Sequence, residues 1–205
     1  MNREEFLAKY WSYYLAIEED FIKTLRYVEL NEANYKTFSI EYVKQYQTIC
    51  SELDTLFKEL CLFYIGEESY KKEKRWNIEK YAGIILNNYP KVKEAQVVVK
   101  TYKGIKLRPY KEWTTAPKYQ SPKWWTEYNS VKHERNENFL YANLENVINS
   151  LAALYVLEKK LLKIVCEESK NDYDIPDEDS NIFSIKGWET RMKSSKEFAY
   201  KIMDQ

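Results

Sequence analysis

The stretch LENVINSLAALYVLEKKLLKIV, residues 144–165, decides the fold class of this chain. Its apolar side chains recur every three or four residues, which is the spacing that aligns them along one face of an α-helix. Leu144, Leu151 and Leu161 lie on this face, and Leu140 extends the stripe toward the N-terminus. The pattern predicts a long helix that lies at the centre of the fold.

Three earlier segments carry stripes of the same period, at about residues 3–30, 39–66 and 72–88. Asn2 and Ser39 precede the first two segments and are residue types that cap helices. Because a short connection joins these two segments, we expect them to pack antiparallel. The predicted fold class is all-α, a bundle of about four long antiparallel helices.

The chain between the third and fourth segments has a different character. Residues 97–99 are three consecutive valines, Lys103 and Gly104 offer a turn, and a second short run ends before Pro109. β-branched residues on both sides of a turn are typical of a hairpin. We therefore expect a small β-hairpin insert over about residues 96–108.

The predicted domain organisation follows from these elements. Residues 1–169 form one helical bundle, which includes the hairpin insert and an aromatic loop within residues 94–122. Residues 170–205 begin with an acidic, polar run and form a C-terminal extension packed on the bundle. A short amphipathic helix is expected at about residues 195–203.

Composition excludes several classes of function. Lysine plus arginine and aspartate plus glutamate number 32 each, so no net field attracts nucleic acid and any RNA contact would be local. No signal-peptide core and no apolar run of ~20 residues is present, so we expect a cytoplasmic protein without membrane contact. Three unclustered cysteines indicate buried thiols. One histidine and four glycines leave no metal-ligand spacing or phosphate-binding loop, and no cofactor is expected.

The single histidine, His133, marks the main candidate site. An unperturbed imidazole gains or loses a proton near neutral pH, so it is well suited to acid–base chemistry. Asn129 lies one helical turn earlier, and Lys132 and Arg135 add two cations close by. An amide, an imidazole and a cation together can hold a phosphate and transfer a proton. The alternative is a packed or exposed histidine without a chemical role.

The segment TEYNSVKHER, residues 126–135, and the helix that follows it resemble the C-terminal motif helix of HEPN-type proteins. These are all-helical domains of bacterial toxins and phage-defence systems. Residues 26–60 are similar to the first helix pair of such proteins. The family motif is an arginine, a polar residue, a short spacer and a histidine. Asn129 matches the polar position and His133 matches the histidine, while Tyr128 stands at the arginine position.

The resemblance implies metal-independent cleavage of RNA. His133 would be the acid–base group, Asn129 would orient it or the ribose, and Lys132 or Arg135 would stabilise the phosphate. Cleavage by 2′-hydroxyl attack needs a base and then an acid, which a twofold homodimer with paired histidines would supply.

Tyr128 at the arginine position favours a different function within the same resemblance. The favoured expectation is a catalytically silent or weak module of a defence or toxin system that dimerises or binds a protein partner. The alternative is an endoribonuclease that acts as a dimer.

Two further groups complete the candidate residues. Asp54 and Lys58 are spaced i, i+4; an exposed ion pair contributing ~0.3–0.5 kcal/mol is favoured over a polar patch opposite His133. Trp125 and Tyr128 belong to an aromatic stretch interleaved with lysines. Such a stretch either stacks single-stranded bases or, in the favoured interpretation, packs in the core.

Overall fold

The computed structural model describes residues 1–102, 104–115, 117–168 and 173–191. The short helix predicted at residues 195–203 lies outside the described residues. Within them the chain is mainly helical with a small antiparallel sheet, and no helix is long and apolar enough to cross a membrane. The α-helices are α1 (Arg3–Phe6), α2 (Ser12–Thr24), α3 (Ile40–Lys72), α4 (Ile78–Asn88), α5 (Lys123–His133), α6 (Arg135–Asn138) and α7 (Leu144–Glu168).

The first helical region begins where it was predicted and ends earlier. Asn2 caps α1, because its side chain accepts from the Glu5 amide while the Glu5 carboxylate accepts from the Asn2 amide. A π-helical turn, Leu7–Trp11, then joins α1 to α2. α2 stops at Thr24 instead of Leu30, since the next amides bond to carbonyls three residues back and tighten the last turn.

The helix predicted over about residues 39–66 continues past its predicted end in α3, where Gly66 is an internal break. The Ser39 hydroxyl accepts from the Tyr42 amide at 3.1 Å and so caps the helix. Gly66 has a φ of 75°, a left-handed conformation that interrupts the helical backbone. α4 begins at Ile78 rather than at residue 72, because Asn77 provides its cap.

α7 lies at the centre of the structure, as predicted, and packs along α3 and against α1, α2 and α5. Most of its residues are buried, and all three cysteines of the chain are buried too. α3 and α7 have 33 and 25 residues, whereas α4 and α5 have 11 each, so the bundle of four long helices is not confirmed. Leu140 lies before α7 in a 3₁₀ turn and is exposed, which corrects its placement in the core stripe.

The predicted hairpin is confirmed, and it belongs to a larger sheet. β1 (Val97–Val99) pairs antiparallel with β2 (Lys106–Leu107), with Val97 opposite Leu107. β3 (Phe183–Ile185) pairs antiparallel with the other edge of β1, which gives the strand order β2-β1-β3. The third strand comes from the C-terminal extension, so the described part of that extension is built into the sheet.

A buried carboxylate fastens the same extension to α2. Glu18 is fully buried and accepts from the Tyr14 hydroxyl at 2.5 Å, from the Asn181 amide at 2.7 Å and from the Ser180 hydroxyl. The Ser180 oxygen accepts in turn from the Phe183 amide at 2.9 Å. This network satisfies the buried charge and positions β3.

Candidate functional site

α5 carries the His133 segment and has one buried and one outward face. The Pro122 carbonyl accepts from the amides of Trp125 and Thr126 and starts the helix. Trp124, Trp125, Tyr128 and Val131 are buried, and the Tyr46 hydroxyl of α3 donates to the Trp124 carbonyl. This anchoring leaves the opposite face, which bears Asn129, Lys132 and His133, toward the surface.

α5 ends at His133. Glu134 has φ −136° and ψ 56°, and its amide donates to the Ser130 carbonyl at 2.9 Å. The Asn138 amide group donates to the Glu134 carbonyl at 3.1 Å and holds α6 against the end of α5. Arg135 therefore starts a new short helix, and its position relative to His133 is set by the bend at Glu134.

The bend creates an open depression of about 390 Å³ around His133, called here the His133 depression. It brings together three of the predicted site residues, His133, Lys132 and Arg135, all of them exposed. Two carboxylates and the Gln47 side chain of α3 share it, so the positive charges have counter-charges nearby. The lining consists of Gln47, Lys132, His133, Glu134, Arg135, Asn136 and Glu137.

The imidazole of His133 has no hydrogen-bond partner that orients it among the described residues. Asn129, one turn earlier on α5, is half-buried and does not line the depression. An acid–base group must be held within hydrogen-bond reach of the proton that it moves. Within one chain, the surroundings of His133 supply exposure and mixed charge, but they do not supply this positioning.

Tyr128, at the position of the family arginine, lies in the aromatic core. Its ring is 5.7 Å from that of Tyr46 and 5.5 Å from that of Trp125, between centroids. Burial raises the pKa of Tyr128 to about 12, so its hydroxyl stays neutral. The Lys132 ammonium sits 5.9 Å from the centre of the Tyr128 ring. The structure thus places Tyr128 and Trp125 in the core, and neither lines the His133 depression.

The Asp54–Lys58 ion pair is present, with 2.6 Å between Oδ2 and Nζ. Asp54 also accepts a hydrogen bond from the Tyr81 hydroxyl at 2.9 Å, which links α3 to α4. Neither residue lines the His133 depression. Because both side chains are partly exposed, the pair contributes a few tenths of a kcal/mol at most, roughly what isolated surface pairs contribute.

A buried carboxyl on α7, that of Glu158, was not predicted from the sequence. Glu158 is fully buried, and neither of its oxygens has a hydrogen-bond partner in the part of the chain that the structure describes. Burial first, and the nearby Glu52 carboxylate second, raise the pKa of Glu158 well above its usual range. A signal for this was present, because Glu158 stands one turn after Leu154 and one turn before Leu162 on the apolar stripe.

Other titratable groups surround Glu158. Tyr10, in the π-helical turn, has a pKa raised to about 12, by burial first and then by Glu59, with smaller contributions from Glu52 and Glu158. Burial also raises the pKa of Glu52. In the described residues no group of three or more His, Cys, Asp or Glu side chains can hold a metal ion. A carboxyl that keeps its proton fits this environment better than a metal ligand does.

Comparisons of the chain with protein-family models, with curated protein sequences and with solved structures gave no match. The resemblance to HEPN proteins therefore stays a prediction from the residues of the His133 segment.

Proposed function

We propose that the chain is a catalytically silent, HEPN-like helical module that forms a homodimer. The observation that carries the proposal is an apolar patch formed by Phe38, Ile40, Phe139 and Leu140. The exposed fractions of Ile40, Phe38 and Leu140 are 71%, 51% and 51%. Clusters of exposed large apolar side chains mark surfaces that a partner covers, whereas single ones carry no such meaning.

Backbone and ring contacts hold the two halves of this patch side by side. Phe38 forms an antiparallel β-bridge with Asn143, and the Leu144 amide donates to the Thr37 carbonyl at 2.9 Å. The Phe38 and Phe139 rings meet edge to face with 5.6 Å between centroids. These contacts hold the segment before α3 and the segment before α7 side by side within one chain.

A second copy of the chain is the occupant that this patch fits best. In a twofold dimer the same patch from each chain covers the other, so one surface meets the need of both. Leu140 follows His133 closely in the chain, so this interface would form near the His133 depression. The resemblance to dimeric HEPN proteins supports the same arrangement.

The catalytic part of the proposal follows from the site. Tyr128 occupies the motif arginine position inside the core, so it cannot bind a phosphate there. Lys132 and Arg135 share the His133 depression with the carboxylates of Glu134 and Glu137, which reduce the attraction for a phosphate. An unoriented His133 then lacks both a positioned partner and a dedicated cation.

Charge substitutions in the patch test the dimer. Ile40→Asp and Leu140→Asp each place a carboxylate where the partner chain would exclude water, so they should shift the protein to monomer. Phe63→Asp is the matched control, since Phe63 is exposed on the same α3 helix roughly 35 Å away along its axis. Light scattering after size exclusion measures the masses. A wild-type monomer, or equal dissociation by all three variants, would overturn the proposal.

The alternative, a metal-independent endoribonuclease, is favoured by one observation: His133, Lys132 and Arg135 line the same depression. Cleavage of labelled RNA in the presence of a chelator tests it. We expect no cleavage by the wild-type dimer. Cleavage that His133→Ala abolishes while the dimer stays intact would establish the enzyme instead. Tyr128→Arg is a poor variant for this purpose, because it would bury a guanidinium among aromatic rings.

A further inference from the structure

A second depression, of about 440 Å³, lies on another part of the molecule. Three separate segments form it: the chain before and within the 3₁₀ turn Pro90–Glu94, the C-terminal half of α7, and the turn after β3. Four lysines line it, and two aromatic rings stand among them. We call it the lysine depression, and its main residues are Tyr89, Lys91, Lys160, Lys163, Lys186 and Trp188.

The four ammonium groups have no carboxylate partner at ion-pair distance among the described residues. Many lysines elsewhere on the chain do, for example Lys71 with Glu67 at 2.5 Å. Glu94 and Glu189 are the acidic residues in the lining, so the lysine depression carries an excess of positive charge. Unpaired like charges that converge on one concave surface raise the local potential for an anion.

Two of these lysines also repel each other. Lys160 and Lys163 are spaced i, i+3 on α7, where side chains are neighbours. Burial lowers the pKa of Lys160; the Glu167 carboxylate partly opposes this, and Lys163 adds a smaller lowering contribution. A bound anion would relieve the repulsion and restore favourable surroundings for both ammonium groups.

Aromatic rings position these ammonium groups without neutralising them. The Lys160 Nζ lies 5.0 Å from the centre of the Tyr89 ring, and the Lys163 Nζ lies 5.5 Å from that of Trp188. The Lys163 Nζ also donates to the Glu189 carbonyl at 2.9 Å. Contacts of this kind stabilise a cation and leave its positive charge in place.

A tight turn brings the remaining parts of the lysine depression into place. The Trp188 amide donates to the Ile185 carbonyl at 3.2 Å, and Gly187 has a φ of 68°, a left-handed conformation that favours glycine. The Lys186 amide donates to the Gln96 carbonyl at 2.9 Å, which ties the turn to the sheet. The Trp188 Nε1 is buried and has no acceptor among the described residues, so one N–H donor is left unsatisfied beside the lysines.

We propose that the lysine depression binds a small anion that carries several linked phosphate groups, such as a triphosphate chain. Several ammonium groups match the many acceptor oxygens of such a ligand. The volume of the lysine depression falls within the range of small-molecule sites. The lysines converge on one concave surface, whereas a nucleic-acid strand needs cations spread along a track. This proposal does not depend on the proposed dimer.

Calorimetric titration of the full chain with inorganic tripolyphosphate and with ATP, at low salt, tests the proposal. Saturable binding of both ligands with similar affinity identifies the phosphate chain as the recognised group. Tighter binding of ATP shows that the nucleoside also contributes. In either case, binding should weaken as salt is added. No saturable binding of either ligand, or binding of single-stranded RNA in preference to both, would overturn the proposal.

Substitutions locate the binding. Lys163→Gln and Lys186→Gln each remove one ammonium, and each should weaken binding at least about tenfold, the loss expected for one charge-assisted contact. Lys186 is exposed, so its substitution should leave the fold intact even if that of Lys163 disturbs the Trp188 contact. Lys9→Gln, at an exposed position outside the depression, is the control. An equal loss in Lys9→Gln would show a nonspecific charge effect and overturn the proposal.

Discussion

The substitution Glu158→Gln offers a direct test of the packing around α7. Glutamine keeps the shape of the side chain and cannot ionise. In the native protein Glu158 is fully buried without a hydrogen-bond partner in the described residues, and its pKa is raised well above the usual value. In the unfolded chain the same carboxyl ionises near its ordinary pKa of ~4.3.

The sign and the size of the effect follow from proton linkage. Because the native state holds one proton that the unfolded state has lost, the wild-type free energy of unfolding falls as pH rises above the unfolded pKa. The slope for one proton is about 1.4 kcal/mol per pH unit, and the fall ends when pH passes the native pKa of Glu158. Glu158→Gln removes this contribution. The free energy of unfolding of the variant, relative to that of wild type, should therefore rise by about 1.4 kcal/mol per pH unit between these two pKa values.

Urea denaturation followed by tryptophan fluorescence measures both free energies between about pH 5 and about pH 7. The difference between variant and wild type should grow by up to about tenfold per pH unit in the unfolding equilibrium constant, until pH passes the native pKa of Glu158. Glu168→Gln, an exposed substitution at the end of α7, should show no such trend. Parallel stability curves for wild type and Glu158→Gln would refute the reasoning, since they would show that Glu158 ionises freely in the native protein.

Two further predictions concern stability. Glu18→Ala leaves the donors of Tyr14, Ser180 and Asn181 without their acceptor, so it should lower the free energy of unfolding by about 3 kcal/mol and increase hydrogen exchange in β3. The control Glu19→Ala, at an exposed position, should change the free energy of unfolding by under about 0.5 kcal/mol. Similar urea midpoints for the two variants would contradict this prediction. Phe57→Ala removes a ring that contacts three other aromatic rings in the core, so it should lower the free energy of unfolding by about 3–5 kcal/mol in the same assay. Little change would contradict this prediction, because it would show that neighbouring side chains fill the cavity.

The sequence predicted those parts of the fold that local patterns encode. The apolar period of α7 and α3 reflects which helix face is buried, and the valines before Lys103 mark β1. β3 could not be predicted, because three residues, Phe183–Ile185, carry too little pattern and their partner strand is far away in the chain. Long-range pairing of this kind depends on the packed structure and leaves no local signal.

The candidate site shows the same division. That His133 lies at the surface end of a helix follows from the apolar positions of Trp125 and Tyr128 on the opposite face. No glycine or proline lies next to Glu134 to indicate a bend there, so the depression that His133 and Arg135 line together could not be predicted. The lysine depression draws its residues from three distant segments, and only the folded chain brings them together.

The mass of the wild-type protein in solution tests the central claim, the homodimer formed through Phe38, Ile40, Phe139 and Leu140. Sedimentation equilibrium over a range of protein concentrations measures it directly. The apolar patch predicts a species of twice the 24.8 kDa chain mass that dissociates only on dilution. A mass of 24.8 kDa at every concentration would contradict the proposed dimer and the function built on it.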